Sequence, residues 1–319
     1  MIQEDKPISE ELKRLIAEVQ SLVKKAHKRN FTFLLVGRTG VGKSSTINTL
    51  IGQKVAEVGK FIPTTKSIGK YESEIEGIPY TIVDTPGLAD TSDKEQEYIS
   101  SIKSAVPEPD CMWFVTPLGD NRVRDDERKT IKTISSAFGK QAWERAIIVF
   151  TYADKVDRDE YNEYLTERTR LIQEEIANYV NTNIAQQIPS VAVANNPKGG
   201  KPLPTPEGEL WLNELYTTVI KRISDRGLLS IVLATAPRLI PQDTNSQEIL
   251  SSSEAEPILL NEGQKQEVIE RIERSPDFAT IATLVGAGAI VGSTFGPMGI
   301  VVGGTIGAVT GLFIRWWGK

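Results

Sequence analysis

The sequence lacks features that mark several common classes of protein. It holds a single cysteine, Cys111, so disulfide bonds within the chain are excluded and a buried, unpaired thiol is expected. Acidic residues outnumber basic ones by 42 to 37, and the net charge of −5 indicates no broad basic face for nucleic acid. The opening residues, MIQEDKPISEELKRL, contain no apolar core of an export signal. We therefore expect a protein of the cytosol or an equivalent reducing compartment that binds no nucleic acid.

Charge is also absent from one long segment near the end of the sequence. Residues 278–314 contain no charged side chain and are rich in glycine. At 1.5 Å per residue, a continuous helix of this length would measure about 55 Å, nearly twice the ~30 Å hydrocarbon core of a bilayer. The sequence FGPMG at residues 295–299 divides the segment into two limbs. Each limb then has about 17 residues, or about 26 Å, at the short end of what can span.

Glycines recur at four-residue steps in both limbs of this segment. They are Gly288, Gly292 and Gly296, and then Gly299, Gly303, Gly307 and Gly311. Such spacing clears one helix face for the close backbone approach by which helices pack in lipid. Basic residues on both sides of the segment favour placing both ends on the cytosolic side of a membrane. We therefore expect a membrane hairpin that contacts the bilayer through residues 278–314, with a buried hairpin of a soluble protein as the alternative.

The motif around which the chain is organised lies at residues 31–52, FTFLLVGRTGVGKSSTINTLIG. An apolar, β-rich run ends in GRTGVGKS, which satisfies G-x-x-x-x-G-K-[ST], and a helical pattern follows. Strand, glycine loop and helix in this order form a phosphate cradle, because backbone N–H groups and the helix N-terminus converge on the anion. Lys43 is expected to act at the β- and γ-phosphates and Ser44 to ligate Mg²⁺. The nucleotide-binding residues predicted here are Arg38, Thr39, Gly40, Val41, Gly42, Lys43, Ser44 and Ser45.

Two further segments are predicted to sense Mg²⁺ and the γ-phosphate. The loop FIPTTK at residues 61–66 offers Thr65, with Thr64 as the alternative, where a nucleotide switch carries its Mg²⁺-binding hydroxyl. We expect Thr65 to act in catalysis as well as in metal binding. A strand then delivers DTPG, in which Asp84 would hold Mg²⁺ through water and the N–H of Gly87 would contact the γ-phosphate.

A base-reading loop is predicted after the apolar, β-branched run at residues 146–150. Guanine is distinguished by a carboxylate that accepts both its N1–H and its N2 amino group, a pair of donors that adenine lacks. Thr151-x-x-Asp154 fits the familiar [NT]-K-x-D form, with Tyr152 replacing the lysine. A second register would use Asp157. We favour Asp154 because it lies nearer the end of the strand.

The alternation of strands and helices predicts an α/β fold with a mostly parallel sheet covered on both faces. Asn195 and Asn196 end its last strand, where a loop closes over the base, and both are predicted to bind nucleotide. The predicted division is an N-terminal amphipathic helix at 1–30, a nucleotide-binding domain at 31–226, a helix end and polar linker at 227–268, and the membrane hairpin at 269–319.

These motifs resemble the septin–Toc branch of P-loop GTPases, which includes the chloroplast-envelope Toc receptors and the immunity-associated GIMAP proteins. The sequence DTPGL at 84–88 is that of the branch, and FGKQAW at 138–143 followed by AIIVFT is similar to the Toc pattern FGKxxW…AI-x-x-x-T. Asn195-Asn196 resembles the NN of GIMAPs. The resemblance covers residues 31–226. It implies a guanine-specific switch that uses GTP or GDP with Mg²⁺, has weak intrinsic hydrolysis, and pairs face to face across its nucleotides.

The resemblance also implies an arginine that acts on a partner. In Toc receptors, an arginine in the loop after the third core strand reaches toward the partner's nucleotide, and Arg122 occupies that place here. Toc proteins have one arginine followed by Val-Asp, whereas Arg122-Val123 is followed by Arg124-Asp125. This difference leaves open which arginine acts, and whether it acts on the chemistry or on dimer stability.

The sequence therefore predicts a membrane-anchored GTP-binding protein that hydrolyses GTP slowly and switches by nucleotide-dependent homodimerisation. Slow hydrolysis is expected because Leu88 stands where many GTPases carry the glutamine that orients the attacking water. One alternative is a non-catalytic, nucleotide-clamped scaffold or receptor at a membrane. Another is a GTPase that gates a membrane-remodelling or pore-forming glycine hairpin. The protein partner or cargo and the particular membrane are not indicated.

Overall fold

A computed structural model describes residues 30–38, 40–51, 69–75, 78–84, 95–196, 202–235, 239–241 and 258–276. Several predictions concern residues outside these ranges: the N-terminal helix, Thr39, the loop with Thr64 and Thr65, the segment with Gly87 and Leu88, and the glycine hairpin. Within the described ranges, no helix combines the length and the apolar character needed to cross a membrane.

A six-stranded sheet forms the centre of the described region. Its strands are β1 (Phe31–Val36), β2 (Gly69–Ile75), β3 (Ile78–Asp84), β4 (Cys111–Pro117), β5 (Ala146–Thr151) and β6 (Ser190–Ala192). Their spatial order is β2-β3-β1-β4-β5-β6. All neighbouring pairs are parallel except β2 and β3, which are antiparallel. The predicted, mostly parallel sheet is confirmed, and the antiparallel edge strand β2 is an addition that the sequence analysis did not predict.

Eight helices accompany this sheet in the described part of the chain. They are α1 (Lys43–Ile51), α2 (Glu95–Ala105), α3 (Asp125–Phe138), α4 (Lys140–Glu144), α5 (Tyr161–Ala177), α6 (Thr182–Gln186), α7 (Trp211–Arg222) and α8 (Asp225–Thr235). α1 packs with α7, whereas α2, α3 and α5 pack in series. Right-handed crossovers put the first group on one face of the sheet and the second on the other. The central strands are thus covered on both sides, which explains why every residue of β5 is buried.

The chain after α8 returns to the main body. β7 (Leu239–Pro241) and β8 (Ile258–Leu260) form a two-stranded parallel sheet, and α9 (Glu262–Glu273) packs against α7. Val268 and Ile272 of α9 are buried. The linker predicted up to residue 268 and the hairpin predicted from 269 therefore differ from the structure, in which α9 crosses that boundary. The sequence pattern does not indicate this helix, because its apolar residues are few among charged ones.

The last described residues lie at the amino edge of the parallel sheet. The carboxylate of Asp110, just before β4, accepts a hydrogen bond from the N–H of Thr32 at 2.8 Å, and the backbone oxygen of Asp110 accepts one from Ser224 N at 2.8 Å. Next to this point, Arg271 of α9 donates to the carbonyl oxygen of Ile223 at 2.8 Å. Because β1 runs from this edge toward the glycine loop, the end of α9 lies on the side of the sheet opposite that loop.

Candidate nucleotide site

The glycine loop between β1 and α1 has a conformation that requires its glycines. Gly37, Gly40 and Gly42 have φ of 140°, 80° and 92°, values that L side chains rarely adopt. A Cβ on Gly37 would lie 2.2 Å from the carbonyl oxygen of Val115, and one on Gly42 would lie 3.2 Å from Asn195 Nδ2. The loop is therefore pressed against the end of β4 and the segment after β6. This turn places the N-terminus of α1, a natural anion site, at the carboxyl edge of the sheet.

Lys43 is the first residue of α1 and is only 6% exposed. Its ammonium donates hydrogen bonds to the carbonyl oxygens of Gly37 and Arg38, both at 3.0 Å. The positive charge is thus held inside the curve of the glycine loop. Val41 is buried, and Ser44 and Ser45 are half-buried in the loop and the first helical turn. The predicted phosphate-binding residues that the structure describes therefore form one continuous loop and helix start.

The predicted base loop is joined directly to the glycine loop. Thr151 ends β5 and is buried, and Tyr152 follows it with φ of 58° in the left-handed region. Among the described residues, Tyr152 alone has a positive φ without being glycine. Its hydroxyl donates a hydrogen bond to the carbonyl oxygen of Gly40 at 2.6 Å, while the side chain stays largely exposed. The tyrosine in the lysine position of the [NT]-K-x-D form thus ties two predicted site loops together.

The two candidate base-reading carboxylates differ in their surroundings. Asp154 lies in a single 3-10 turn, Ala153–Lys155, and its side chain is 16% exposed. Its carboxylate pairs with the ammonium of Lys155 at 2.9 Å. Asp157 lies two residues beyond this turn and is exposed. The more enclosed carboxylate is therefore the one nearer the strand.

The segment after β6 reaches the glycine loop through Asn195. Its Nδ2 donates to the hydroxyl of Thr46 in α1 at 2.7 Å. Its Oδ1 is buried and has no hydrogen-bond partner among the described residues. Buried polar atoms are nearly always paired, so this oxygen can accept a donor from a bound molecule. Asn196 is half-buried beside it.

Three charged side chains meet in the loop after β4. Asp120 pairs with Arg124 through both carboxylate oxygens and lies 3.5 Å from Arg38 of the glycine loop. The hydrogen bonds that Arg124 donates to Asp120 raise the pKa of Arg124 above its usual value. Arg122, in contrast, is exposed, and its guanidinium has no ion pair or hydrogen bond with any described residue. Asp120 joins this loop to the predicted site, and no sequence motif pointed to it.

The predicted metal ligands are only partly described. Ser44 lies in the first turn of α1, and the backbone of Asp84 ends β3, where it pairs in register with Leu35 of β1. Both therefore lie at the carboxyl edge of the sheet, close to the glycine loop. Thr65 lies outside the described residues. Among the residues that are described, no cluster of three or more histidine, cysteine, aspartate or glutamate side chains could hold a metal.

Comparison with known proteins gives a consistent set of relatives. Residues 31–186 match the model of the AIG1 family. Translocase of chloroplast 34 from Pisum sativum is 27% identical over 215 residues, which are 64% of this chain and 69% of the relative. Translocase of chloroplast 159 from Arabidopsis thaliana is 27% identical over 209 residues, which are 58% of this chain but 14% of that relative. The chain thus spans only a small part of the longer translocases.

The solved structures that resemble this chain include two of Toc33. Toc33 from Arabidopsis thaliana in complex with GDP and Mg²⁺ has a TM-score of 0.50 and 25% identity, over 66% of this chain and 90% of that chain. A dimerisation-deficient mutant of Toc33 has a TM-score of 0.51 and 24% identity, over 67% of this chain and 92% of that chain. The described sheet therefore has the fold of these proteins.

Proposed function

We propose that the chain carries a P-loop GTPase domain of the AIG1 family, related to the Toc GTPases, and that it binds and slowly hydrolyses GTP and switches state with the bound nucleotide. One observation carries this proposal. The glycine loop, the Thr151–Asp154 segment and Asn195 meet at the carboxyl edge of the sheet, linked by the hydrogen bonds of Tyr152 and Asn195.

The phosphate end of the site is formed by the start of α1. Lys43 would exchange its two carbonyl partners for the β- and γ-phosphates, and Ser44, Thr65 and Asp84 would hold Mg²⁺. Bound Mg²⁺ supplies charge neutralisation of the phosphates. The complex of Toc33 with GDP and Mg²⁺ supports this choice of nucleotide and metal.

The base end of the site is formed by the segments after β5 and β6. The half-buried carboxylate of Asp154, which pairs with Lys155 at 2.9 Å, would accept the two guanine donors. Asn195 Oδ1, which lacks a partner among the described residues, is an acceptor available at the same edge. These groups favour guanine over adenine.

We further propose that two copies pair across their nucleotide faces and that Arg122 acts on the partner's nucleotide. Arg124 is held by Asp120, whereas Arg122 is exposed on the same loop at the carboxyl edge. This contrast supports Arg122 over Arg124, the two arginines that the sequence left open. For the chloroplast translocon components Toc33 and Toc159, dimerisation is important for GTPase activity, which supports the same arrangement here.

Membrane anchoring by residues 278–314 remains part of the proposal. The described chain ends after α9 at the amino edge of the sheet, opposite the glycine loop. An anchor that begins there leaves the nucleotide face free to meet a second copy. Flotation of the full chain with liposomes, compared with a chain ending at Ser275, tests this part: binding of both or of neither contradicts it.

The nucleotide assignment is tested by measuring the affinities of GTP, GDP and ATP with Mg²⁺, for the native chain and for Lys43→Ala. Guanine nucleotides should bind at least about 100-fold more tightly than ATP, since one mispaired buried base edge costs several kcal/mol. Lys43→Ala should lose most of this binding. Lys140→Ala, at an exposed lysine of α4 that lies 3.6 Å from Glu144, is the matched control and should bind normally. Equal affinity for ATP would overturn the assignment.

A further inference from the structure

We infer that Arg168 is a positioning residue that presents Arg122 to the second copy of the chain; this inference rests on the proposed function. Arg168 lies on α5 and is 1% exposed, and its side chain reaches under the loop after β4. Its Nη1 donates to the carbonyl oxygen of Arg122 at 2.9 Å. The buried guanidinium of Arg168 thus binds the backbone of Arg122, whose own guanidinium is exposed.

Glu127 binds both Arg168 and the backbone of the same loop. It is buried at the start of α3 and accepts a hydrogen bond from Arg168 Nη2 at 2.8 Å. Its second oxygen accepts the backbone N–H of Arg124 at 2.7 Å, and its first also accepts the hydroxyl of Thr116. The ion pair therefore fixes the loop backbone at residues 122 and 124.

Other contacts restrict further side chains at this loop. Val123 is buried between the two fixed points, and the side chain of Arg124 is occupied by Asp120. The guanidinium of Arg168 also lies 6.0 Å from the ring centre of Phe150 in β5, which limits its movement. Of the two arginines in the loop, Arg122 is the one whose guanidinium is exposed and makes no ion pair or hydrogen bond with a described residue.

A buried ion pair contributes little to the free energy of folding, because the desolvation of two charges offsets their attraction. An apolar pair of the same volume would pack as well. Here Arg168 Nη1 and the second oxygen of Glu127 bind the loop backbone, and Arg168 Nη2 also binds Thr116, while Arg168 Nε has no partner among the described residues. The geometry therefore favours a role in orienting the Arg122 loop over a role in holding the core.

A double-mutant cycle of Arg168→Met and Arg122→Ala tests this role, with the GTP-bound dimer dissociation constant measured by analytical ultracentrifugation. Arg168→Met should weaken the dimer about tenfold, and adding it to Arg122→Ala should cause no further loss, because coupled residues are non-additive. GDP affinity of the monomer should stay within about twofold, since Arg168 touches none of the nucleotide-binding residues named above. Additive losses, or a native dimer with Arg168→Met, would overturn the inference.

Arg222→Met is the matched control. Arg222 is another arginine that donates to backbone carbonyls, those of Trp143 at 2.9 Å and Ala146 at 3.2 Å, but it lies away from the Arg122 loop. Its loss should leave the dimer unchanged. If Arg168→Met does not fold, the paired replacement Arg168→Met with Glu127→Leu removes both charges, and it must weaken the dimer to the same extent.

Hydrogen–deuterium exchange separates this inference from the proposed function. In the GDP-bound monomer, Arg168→Met should speed exchange of the amides at residues 120–124 about tenfold or more, while α1 stays protected. Unchanged exchange there contradicts the positioning role, whatever the dimer does. If this exchange does increase but the native chain neither dimerises nor responds to Arg122→Ala, the pairing proposal fails and the positioning of the loop stands.

Discussion

The hydroxyl of Tyr152 lies 2.6 Å from the carbonyl oxygen of Gly40, across the gap between the base loop and the glycine loop. Tyr152 reaches it from a left-handed backbone conformation at the end of β5. A lysine at this place in the [NT]-K-x-D form would offer a charged, flexible donor, whereas the phenol offers one directed donor on a rigid ring. The base loop and the glycine loop are therefore connected by a neutral hydrogen bond, in addition to the bond from Asn195 to Thr46.

Tyr152→Phe should weaken GTP binding about three- to tenfold, since one hydrogen bond is worth about 0.5–1.5 kcal/mol and the ring is retained. The loss should appear mainly in a faster dissociation rate of a fluorescent GTP analogue, measured by stopped flow. Tyr179→Phe, at a similarly exposed tyrosine just after α5, is the control and should dissociate at the native rate. An unchanged rate in Tyr152→Phe would show that the bond does not stabilise the site.

The choice of Asp154 as the base-reading carboxylate predicts a change of specificity. Asp154→Asn should lower GTP affinity by about 100-fold or more and improve binding of xanthosine triphosphate, because the amide donates where the carboxylate accepted. Competition binding with the two nucleotides measures this exchange. Asp157→Asn, the exposed neighbour, should leave both affinities unchanged. The opposite pattern would place the base in the second register.

The glycine loop predicts different results for two of its glycines. Gly37→Ala would put a methyl carbon 2.2 Å from a backbone oxygen of β4, so the loop must move and nucleotide binding should be lost. A methyl carbon on Gly40 meets no atom of the described residues within 4 Å beyond its chain neighbours, and Gly40→Ala carries the strain of its positive φ, about 1 kcal/mol. Thermal unfolding and GDP affinity should therefore fall steeply in the first variant and slightly in the second. Equal effects would contradict the described loop.

Cys111, the single cysteine of the chain, should report on opening of the central sheet. It is fully buried in β4, and burial raises the pKa of its thiol to about 12. At pH 8, the thiolate fraction is then about 10³-fold lower than that of an exposed cysteine, and access is blocked as well. A maleimide should label the native protein only as fast as the protein opens, and bound GDP should slow labelling further. Fast labelling of the folded protein would contradict this burial.

The sequence was most informative where periodicity and composition act together. The apolar run at 31–36 coincides with β1, and the run before the base loop is β5 with one residue more, Thr151. These strands are buried on both faces, so their composition follows directly from their position. In the motif FGKQAW, Ala142 and Trp143 are part of the core, and the fully buried Trp143 donates a hydrogen bond to the hydroxyl of Ser135 at 2.9 Å. The motif thus supports the resemblance without contributing to the site.

The contacts between distant residues could not be predicted in the same way. Arg168 and Glu127 are separated by 41 positions, and each looks like an ordinary charged residue on a helix. Their burial becomes evident only when α3 and α5 pack side by side. Asp120 is a similar case, because its role depends on Arg38 and Arg124 approaching from two sides. Local sequence patterns do not indicate such contacts between distant residues, because these contacts are determined by the packing of the whole domain.

The central claim, that Arg122 completes the site of a second copy, is tested most directly by GTP turnover per molecule as a function of protein concentration. The native chain should turn over faster as concentration rises, and Arg122→Ala should remain at the slow monomer rate throughout, since an arginine acting on a partner can supply about 10³–10⁵ in rate. Arg124→Ala, which removes the arginine held by Asp120, should retain the concentration dependence. Rates independent of concentration in both the native chain and Arg122→Ala would contradict the claim.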